Sequence, residues 1–416
     1  MPGQSAELVE HFFRHESAAL VSVLTRAFGM RRMELVEDMV QAAMLDALDV
    51  WKHRGLPDNP AAWIHRVAKN RVLDALRREK TFAKAAAHAD SARDVSESFP
   101  EEWLQNERIP DSLLRMMFVC CHPVLDRRTQ IALTLKTLCG FSVSEVACGL
   151  LLPEPTVRKR IQRAKKTLAD VGAQPELPGD DELARRLDAV HEVLYLLFNE
   201  GYSTADSIEP IRDDICEEAA RLCHLLCESE CSTPASHALL SLMLFHSSRL
   251  EARIDADGTA VLLEDQDRSL WDRRLITAAQ CRLMMSKTDQ PTRYHLEAGI
   301  AAQHCTAASV ATTDWAMISA LYDRLLQIAD SPIYRLNRAI ADGQTGRTSD
   351  SLSQLLALKD LPELKDYVLL DCAVARIYEQ QGRPDEAVQC YREALTQKVA
   401  PHQKRLLERR LRKLTE

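Results

Sequence analysis

The stretch LCGFSVSEVACGLLLPEPTVRKRIQRAKKTL, from Leu138 to Leu168, contains the most informative pattern in the chain. A first helix over Ser144 to Leu150, a short turn and a second helix opening at Pro155 have the proportions of a helix-turn-helix. Ala147 is small, as two closely crossing helices require. Pro155 suits the first turn of a helix, because its missing N–H has no partner to lose there. The stretch therefore predicts two short helices that cross at the turn.

The second helix of this pair is strongly basic and carries hardly any acid before Asp170. Guanidinium groups form forked hydrogen bonds with guanine edges or phosphates, and lysines hold phosphates as point charges. Basic runs are also common on solvated helix faces, but the turn in front of this one favours a DNA-binding helix. The cluster comprises Arg158, Lys159, Arg160, Arg163, Lys165 and Lys166.

A second basic pattern lies in NPAAWIHRVAKNRVLDALRREK, residues 59 to 80. Basic residues interleaved with an aromatic ring and an amide such as Asn70 suit a surface that holds phosphates while bases are displaced and stacked. Trp63 is more often a core residue than a stacking platform. The basic positions are Arg66, Lys69, Arg71, Arg77, Arg78 and Lys80, set around Trp63, Ile64, Val67, Val72 and Leu76.

The composition predicts an all-α protein of several domains. The 416 residues exceed one ordinary helical core, and a content of 13 Gly and 5% aromatics favours helices. The net charge of -8 argues against a nucleic-acid binder only as a whole-chain sum, so the local basic clusters carry more weight. The longest apolar run, Ala238 to Phe245, is too short to span a bilayer, and the N-terminus lacks the pattern of a signal peptide. We expect a cytoplasmic protein without membrane partners.

Helical periodicity and breaks divide the sequence into four parts. Residues 7–84 form a helical domain, 85–108 an acidic linker and 109–171 the helix-turn-helix domain. After the Pro- and Gly-rich segment at 172–182, residues 183–416 form a long helical extension. Within it, Gly346 lies 36 residues before Gly382, which indicates a weak tetratricopeptide-like repeat. The Asp257-Gly258 pair indicates a small β-hairpin among the helices.

The repeat rests on small residues at predicted helix crossings and aromatic residues between them. The tetratricopeptide-like positions are Ala375, Tyr378, Gly382, Ala387, Tyr391 and Ala394.

Two other clusters suggest chemistry only weakly. Cys223, Cys227 and Cys231 share one helix face beside His224, but without a CxxC pair we read the twelve cysteines as reduced thiols, mostly in cores, and expect no metal. Five acidic residues follow His246 in sequence, but no phosphate-binding loop or nucleophile motif accompanies them. We therefore predict that these acids form salt bridges and helix caps and do not act in catalysis. Those acids are Asp255, Asp257, Glu264, Asp265 and Asp267.

Together, the two basic segments resemble the sigma-70 family, specifically its extracytoplasmic-function group. In that family an acidic helix like LVEDMVQAAMLDA, residues 35–47, binds the clamp helices of core RNA polymerase. A helix like residues 63–79 recognises and helps to melt the -10 promoter element. The helix-turn-helix then recognises the -35 element, and the acidic linker passes through the polymerase channels between the two domains.

The resemblance implies a promoter-specificity factor without enzymatic activity or cofactor, with the β′ and β subunits of core polymerase and promoter DNA as partners. The implied polymerase-binding residues are Glu37, Asp38, Gln41, Met44 and Leu45. The implied -10 contacts are Trp63, Arg66, Lys69, Asn70, Arg71, Arg77 and Arg78. The implied -35 contacts are Thr156, Arg158, Lys159, Arg160, Arg163 and Lys166.

The remainder is similar to one subgroup of these factors, which continues into a tetratricopeptide-like extension. The similar stretches are residues 108–123, 193–202 and 243–276. The subgroup implies that the extension regulates activity, and it leaves open whether a protein or a ligand binds there. Two alternatives remain from the residues alone: a stand-alone helix-turn-helix regulator with a helical sensing domain, and a tetratricopeptide scaffold whose basic helices are incidental.

Overall fold

A computed structural model describes residues 16–86, 109–150, 152–173, 179–202, 213–364, 367–397 and 399–415. Nearly all of the regular structure in these ranges is helical, which confirms the predicted all-α class. Residues 85 and 86, predicted to open the acidic linker, belong to a helix, and the rest of that linker lies outside the described ranges. The chain divides into two compact units, Met1–Leu197 and Phe198–Glu416.

Within the described ranges, eight helices lie wholly or partly in the first unit. They are α1 (16–28), α2 (Met33–Arg54), α3 (Pro60–Ala86), α4 (Ile109–Cys120), α5 (Arg127–Thr137), α6 (Val143–Gly149), α7 (Glu154–Asp170) and α8 (Asp180–Tyr202).

The helices α1 to α3 pack around one apolar core. Apolar side chains at three- and four-residue spacing give α2 a buried stripe, which includes Val36 and Val40, and this stripe meets Ile64 and Val72 of α3. Gly29, at φ 86°, separates α1 from the short turn before α2, because its left-handed conformation is accessible mainly to glycine. The polar faces of α2 and α3 are left at the surface.

A buried amide organises the turn between α4 and α5. Gln130 is almost completely buried, and its Nε2 donates to the carbonyl oxygens of Cys121 and Leu125 at 3.2 and 3.1 Å. Asp126 caps α5 by accepting from the Thr129 N–H at 3.1 Å. These bonds fix the entry into α5, on which α6 and α7 pack.

The boundary between the units falls inside α8, between Leu197 and Phe198, and not at the predicted residue 183. The helix itself begins at Asp180, within the predicted second linker. Its first half belongs to the first unit because Arg127 of α5 pairs with Glu192 at 2.6 Å. A Pro- and Gly-rich segment therefore precedes this boundary but does not mark it.

The second unit is a succession of helices in which each packs against the next. They are α9 (Asp213–Cys227), α10 (Pro234–Ser247), α11 (Arg273–Met285), α12 (Arg293–Thr306), α13 (Trp315–Ile328), α14 (Pro332–Gln344), α15 (Thr348–Leu358), α16 (Val368–Gln380), α17 (Pro384–Leu395) and α18 (Pro401–Thr415).

The predicted repeat corresponds to two helical hairpins, α14 with α15 and α16 with α17. Gly346 and Gly382 adopt positive φ angles of 92° and 69° in the equivalent turns. Ala387 and Tyr391 are buried in the core between the helices, as expected for a small residue at a crossing and an aromatic beside it.

The predicted β-hairpin is reduced to one antiparallel bridge between Ile254 and Ala260, and no strand forms in the described ranges. The turn between them is closed by the Gly258 N–H, which donates to Asp255 O at 2.8 Å. Helix α18 holds this turn: Arg409 pairs with Asp255 at 2.6 Å, and the Arg405 guanidinium donates to Gly258 O. The turn is therefore fixed by arginines and not by a sheet.

The other acids near this turn form ion pairs or cap helical turns. Glu264 pairs with Arg376 at 2.6 Å, Asp265 pairs with Arg410, and Asp267 accepts from the Ser269 N–H. The reading of these acids as salt bridges and caps is confirmed for these contacts. The described cysteines are buried, apart from the exposed Cys281. Over the same ranges, no helix combines the length and apolarity that a bilayer crossing requires.

Candidate nucleic-acid interface

The helix-turn-helix is formed by α6 and α7. Ser142 and Glu145 cap α6 reciprocally: the Ser142 N–H donates to Glu145 Oε2 at 2.7 Å, and the Glu145 N–H donates to Ser142 Oγ at 3.1 Å. The turn ends as the Leu152 N–H donates to Ala147 O at 2.9 Å, and Ala147 is buried at the crossing. Helix α7 begins at Glu154, one residue before the predicted start.

Helix α7 has a buried face and a basic exposed face. Val157, Ile161 and Leu168 are buried in the first unit. Arg160 is half-buried, and Arg158 pairs with Glu154 one turn earlier at 2.5 Å. The predicted DNA contacts that are exposed are Thr156, Arg158, Lys159, Arg163 and Lys166. Five of the six predicted side chains therefore share a solvent-facing surface.

Lys165 lies on the buried face of the same helix. Its Nζ donates to the carboxylate of Glu37 on α2, so the predicted recognition helix and the predicted polymerase-binding helix are joined by an ion pair. Lys136 of α5 lies near this pair, and burial lowers its pKa while the charge of Glu37 opposes that shift. Lys165, which belongs to the basic cluster of α7 in sequence, therefore lies outside the exposed face of that helix.

The predicted polymerase-binding residues are divided between surface and core. Asp38, Gln41 and Leu45 are exposed on α2, whereas Met44 is buried and Glu37 is held by Lys165. Gln41 and Leu45 line a groove of about 410 Å³ between α2 and the loop that precedes α6. Part of the predicted surface of α2 is thus covered by the helix-turn-helix domain.

The predicted -10 contacts on α3 are likewise divided between exposed and partly buried side chains. Arg66, Asn70, Arg77 and Arg78 are exposed. Lys69 is partly buried.

Two members of that surface have structural contacts. Arg71 donates from Nε to Asp46 at 2.8 Å, which fixes α3 on α2. Trp63 is partly buried against the core, with its ring centroid 5.7 Å from that of Trp51. Trp63 therefore has the core role that its residue type favours.

Two buried polar residues in this region were missed from sequence. Lys165 continues the apolar spacing of Val157 and Ile161, so helical periodicity places it on the buried stripe. Gln130 carries no comparable signal, because its partners are backbone carbonyls.

Comparison with known families assigns these segments independently. Sigma-70 region 2 matches residues 12–82, and Sigma-70, region 4 matches residues 115–168. A family of unknown function, DUF6596, matches residues 186–287.

Two relatives differ greatly in how much they cover. Uncharacterized protein R00370 of Rhizobium meliloti is 36% identical over 89% of this chain and 88% of its own length. The ECF RNA polymerase sigma factor SigM of Mycobacterium tuberculosis is 29% identical over 33% of this chain and 65% of its own length. No solved structure matches the chain significantly.

The agreement with R00370 covers most of the chain, whereas the sigma-70 matches lie on α1 to α7, where the helix-turn-helix and the basic surfaces were found. The chain therefore belongs to the same family as R00370, and it carries the region 2 and region 4 domains of an RNA polymerase sigma factor followed by a DUF6596 domain.

Proposed function

We propose that this protein is an extracytoplasmic-function sigma factor that directs core RNA polymerase to a specific set of promoters. The basic face of α7, presented directly behind the helix-turn-helix turn, is the observation that carries the proposal. Four of its cationic side chains are exposed on one helix: Arg158, Lys159, Arg163 and Lys166. Such a face fits the major groove, with guanidinium groups at base edges and lysines at phosphates.

Within this proposal each basic or acidic surface has one task. Helix α7 contacts the -35 element through the four cations, Thr156 and Arg160. The exposed face of α3 contacts the -10 element through Arg66, Asn70, Arg77 and Arg78, supported by Trp63, Lys69 and Arg71. Helix α2 binds the β′ subunit of the polymerase through Glu37, Asp38, Gln41, Met44 and Leu45, and contacts with the β subunit accompany DNA binding by α7.

The ion pair between Lys165 and Glu37 gives the free chain a closed arrangement. Polymerase that binds α2 competes with Lys165 for Glu37, and the helix-turn-helix domain must leave the groove beside Leu45. Binding of polymerase to α2 then releases α7 from its contact with α2. A free chain of this kind binds promoter DNA poorly, unlike a stand-alone regulator.

We further propose that residues 198–416 form a tetratricopeptide-like regulatory extension that acts in the cytoplasm on the sigma domains. The support is the pair of helical hairpins with matched glycine turns at Gly346 and Gly382. A protein or ligand that binds this extension would set the activity of the factor.

Run-off transcription with purified core polymerase tests the proposal, on promoter fragments enriched from genomic DNA. The full chain should initiate transcription, and the double variant Arg158→Glu/Arg163→Glu should lose about tenfold or more of that activity while keeping its polymerase affinity. Arg324→Glu, a reversal of an exposed charge on α13, is the matched control and should behave as the parent protein.

Titrations of DNA binding at several salt concentrations, made beside the transcription assay, separate the competing functions. Sequence-specific DNA binding without initiation would identify a stand-alone regulator, and no salt-dependent DNA affinity would identify a scaffold. A chain ending after Leu197, at the boundary of the first unit, measures whether the extension activates or restrains initiation.

A further inference from the structure

Three arginines of the second unit converge on two aromatic rings. The Arg253 guanidinium carbon lies 3.7 Å from the centroid of the Tyr202 ring, and Arg249 donates to the Tyr202 hydroxyl at 3.0 Å. The guanidinium carbons of Arg249 and Arg268 lie 5.9 and 4.5 Å from the centroid of the Trp271 ring. We call Arg249, Arg253 and Arg268 the arginine cluster. Three positive charges are thus concentrated around one pair of rings.

The arginine cluster is held by neutral acceptors. Arg253 donates to the Tyr202 carbonyl at 2.7 Å, and Arg268 donates to the carbonyls of His304 and Ala307, both at 2.7 Å. Arg249 also shares a hydrogen bond of 2.9 Å with His246 Nδ1. These bonds orient the guanidinium groups but do not neutralise them.

No carboxylate in the described part of the chain forms an ion pair with these three arginines. Elsewhere in the same unit, Arg376 pairs with Glu264 at 2.6 Å and Arg409 pairs with Asp255 at 2.6 Å. Among the described acids, Asp213 interacts electrostatically with Arg253, but the two side chains do not form an ion pair. Burial, followed by the charge of Asp214, raises the pKa of the Asp213 carboxyl. Among the described residues, the positive charge of the cluster is therefore not compensated by an ion pair.

Two buried donors at the base of the cluster have no acceptor. Arg249 is only 6% exposed, and its Nε has no hydrogen-bond partner. Trp271 is 2% exposed, and its Nε1 is likewise unpartnered. A buried cation without a counter-charge and buried donors without acceptors are both unfavourable. Because Arg253 and Arg268 are partly exposed, a ligand from solvent can reach the cluster.

The positive charges of the cluster also lower the pKa values of two neighbouring histidines. Burial, followed by the charges of Arg249 and Arg268, lowers the pKa of His304 to about 3. Burial, followed by Arg249 and Arg253, also lowers the pKa of His246. Both side chains are therefore neutral at pH 7, and a bound anion would favour their protonation.

We propose that the arginine cluster is a binding site for a small multivalent oxyanion, with a phosphate group as the ligand class. Guanidinium forks match the oxygens of phosphate, and three cations can balance a dianion where a single carboxylate would leave excess charge. The oxyanion would accept from Arg249 Nε and from the remaining N–H groups of Arg253 and Arg268. The proposal concerns binding by the second unit and does not depend on the proposed role in transcription.

Isothermal titration of the full chain with inorganic phosphate and with pyrophosphate tests the site, using sodium chloride at equal ionic strength as the reference. We expect saturable binding of each anion with a stoichiometry of one site per chain. A titration with a sugar phosphate distinguishes a free ion from a phosphate ester as the preferred ligand.

Variants locate the binding in the arginine cluster. Arg249→Met and Arg253→Gln should each weaken phosphate binding about tenfold or more, whereas Arg335→Gln, at an exposed pair with Asp330, should leave it unchanged. If Arg249→Met does not fold, Arg253→Gln and Arg268→Gln remain as tests, because both side chains are partly exposed. Phosphate binding no stronger than that of chloride, or equal binding by the folded variants, would overturn the proposal.

Discussion

Lys165 of α7 and Glu37 of α2 form an ion pair across 128 residues of sequence, with side chains that are only 9% and 15% exposed. A buried pair of this kind contributes little net stability against an apolar replacement, but a single buried charge left without its partner is strongly destabilising. The pair therefore determines which surfaces of α2 and α7 pack together. It adds little to the stability of that packing.

Removing Glu37 should be more damaging than removing Lys165. Glu37→Gln leaves Lys165 without its carboxylate and removes one of the two carboxylates that act on Lys136, whereas Lys165→Met leaves Glu37 near Lys136. We expect Glu37→Gln to lower the free energy of unfolding by about 3–5 kcal/mol and Lys165→Met to lower it less. Urea unfolding followed by circular dichroism measures both.

The exposed pair of Arg158 with Glu154 is the control for this comparison. Its disruption by Glu154→Gln should change the free energy of unfolding by about 1 kcal/mol or less, because solvent screens the charges. The double variant Glu37→Leu/Lys165→Met should recover most of the lost stability. Equal costs for the buried and exposed pairs would contradict the structural role of Lys165.

Leu45 should contribute to polymerase binding without contributing to stability. It is 67% exposed on α2, and exposed apolar side chains of this size often mark interfaces. Leu45→Asp should weaken the affinity for core polymerase about tenfold or more. The free energy of unfolding should change by about 0.5 kcal/mol or less. Leu356→Asp, at an exposed position of α15, should leave the affinity unchanged. Unchanged polymerase affinity of Leu45→Asp would remove this part of α2 from the polymerase-binding surface.

The first unit should lose stability as the pH falls below 6.5, and His191 should account for part of the loss. Burial lowers the pKa of His191 to about 4, so the unfolded state binds a proton at higher pH than the folded state does. Its contribution is fully present above pH 6.5 and is lost between pH 6.5 and 4. The loss is about 2 kcal/mol at pH 5.

Thermal and urea unfolding of the full chain and of His191→Gln should therefore differ in their pH dependence. The decrease in unfolding free energy between pH 7.5 and 5 should be smaller in the variant by about 2 kcal/mol. Between pH 7.5 and 9 histidines do not change charge, so the unfolding free energies of the two proteins should depend on pH in the same way over that range. An unchanged acid sensitivity in the variant would show that His191 is accessible to protons in the folded state.

Two helical glycines should respond to alanine with opposite signs. A Cβ on Gly343 would lie 2.6 Å from Ile377 Cδ1 and 2.9 Å from Ser351 Oγ, whereas one on Gly299 would have Leu321 Cδ1 as its nearest neighbour at 3.4 Å. Gly343→Ala should destabilise the protein by about 1–3 kcal/mol through overpacking. Gly299→Ala should stabilise it by about 1 kcal/mol through helix propensity. Thermal unfolding of both variants measures these changes in stability. A gain in stability for Gly343→Ala would show that α14 and α16 are not closely packed.

Periodicity and turn chemistry were sufficient to predict the helix-turn-helix and the helical extension. The spacing of Val157, Ile161 and Leu168 gives the buried face of α7, and the glycines at 346 and 382 mark the turns of two hairpins. These signals are local, because each depends on residues within a few turns of one another. The same locality explains why the exposed cations of α7 could be identified before their surroundings were known.

Features that depend on distant partners were not predictable in this way. Lys165 has the residue type of a DNA contact and the helical spacing of a buried residue, and the structure shows that its charge is paired with the distant Glu37. The hairpin at 254–260 was expected from its turn residues, but the arginines that hold it come from α18. The arginine cluster and its two aromatic rings come from residues 202, 249–253 and 268–271, so no single stretch of sequence shows that these arginines form no ion pair with a described carboxylate.

The hold of α18 on the 254–260 turn also has a consequence for the order of folding during synthesis. Domains generally fold as the nascent chain emerges, with the N-terminal parts first. Glu37 can meet Lys165 once residue 165 of the 416 has left the ribosome, but Asp255 must wait a further 154 residues of sequence for Arg409. Helix α2 can therefore pack against α7 well before the turn of the DUF6596 domain is closed, so a nascent chain passes through a stage in which the sigma-70 domains are assembled and the DUF6596 domain is not.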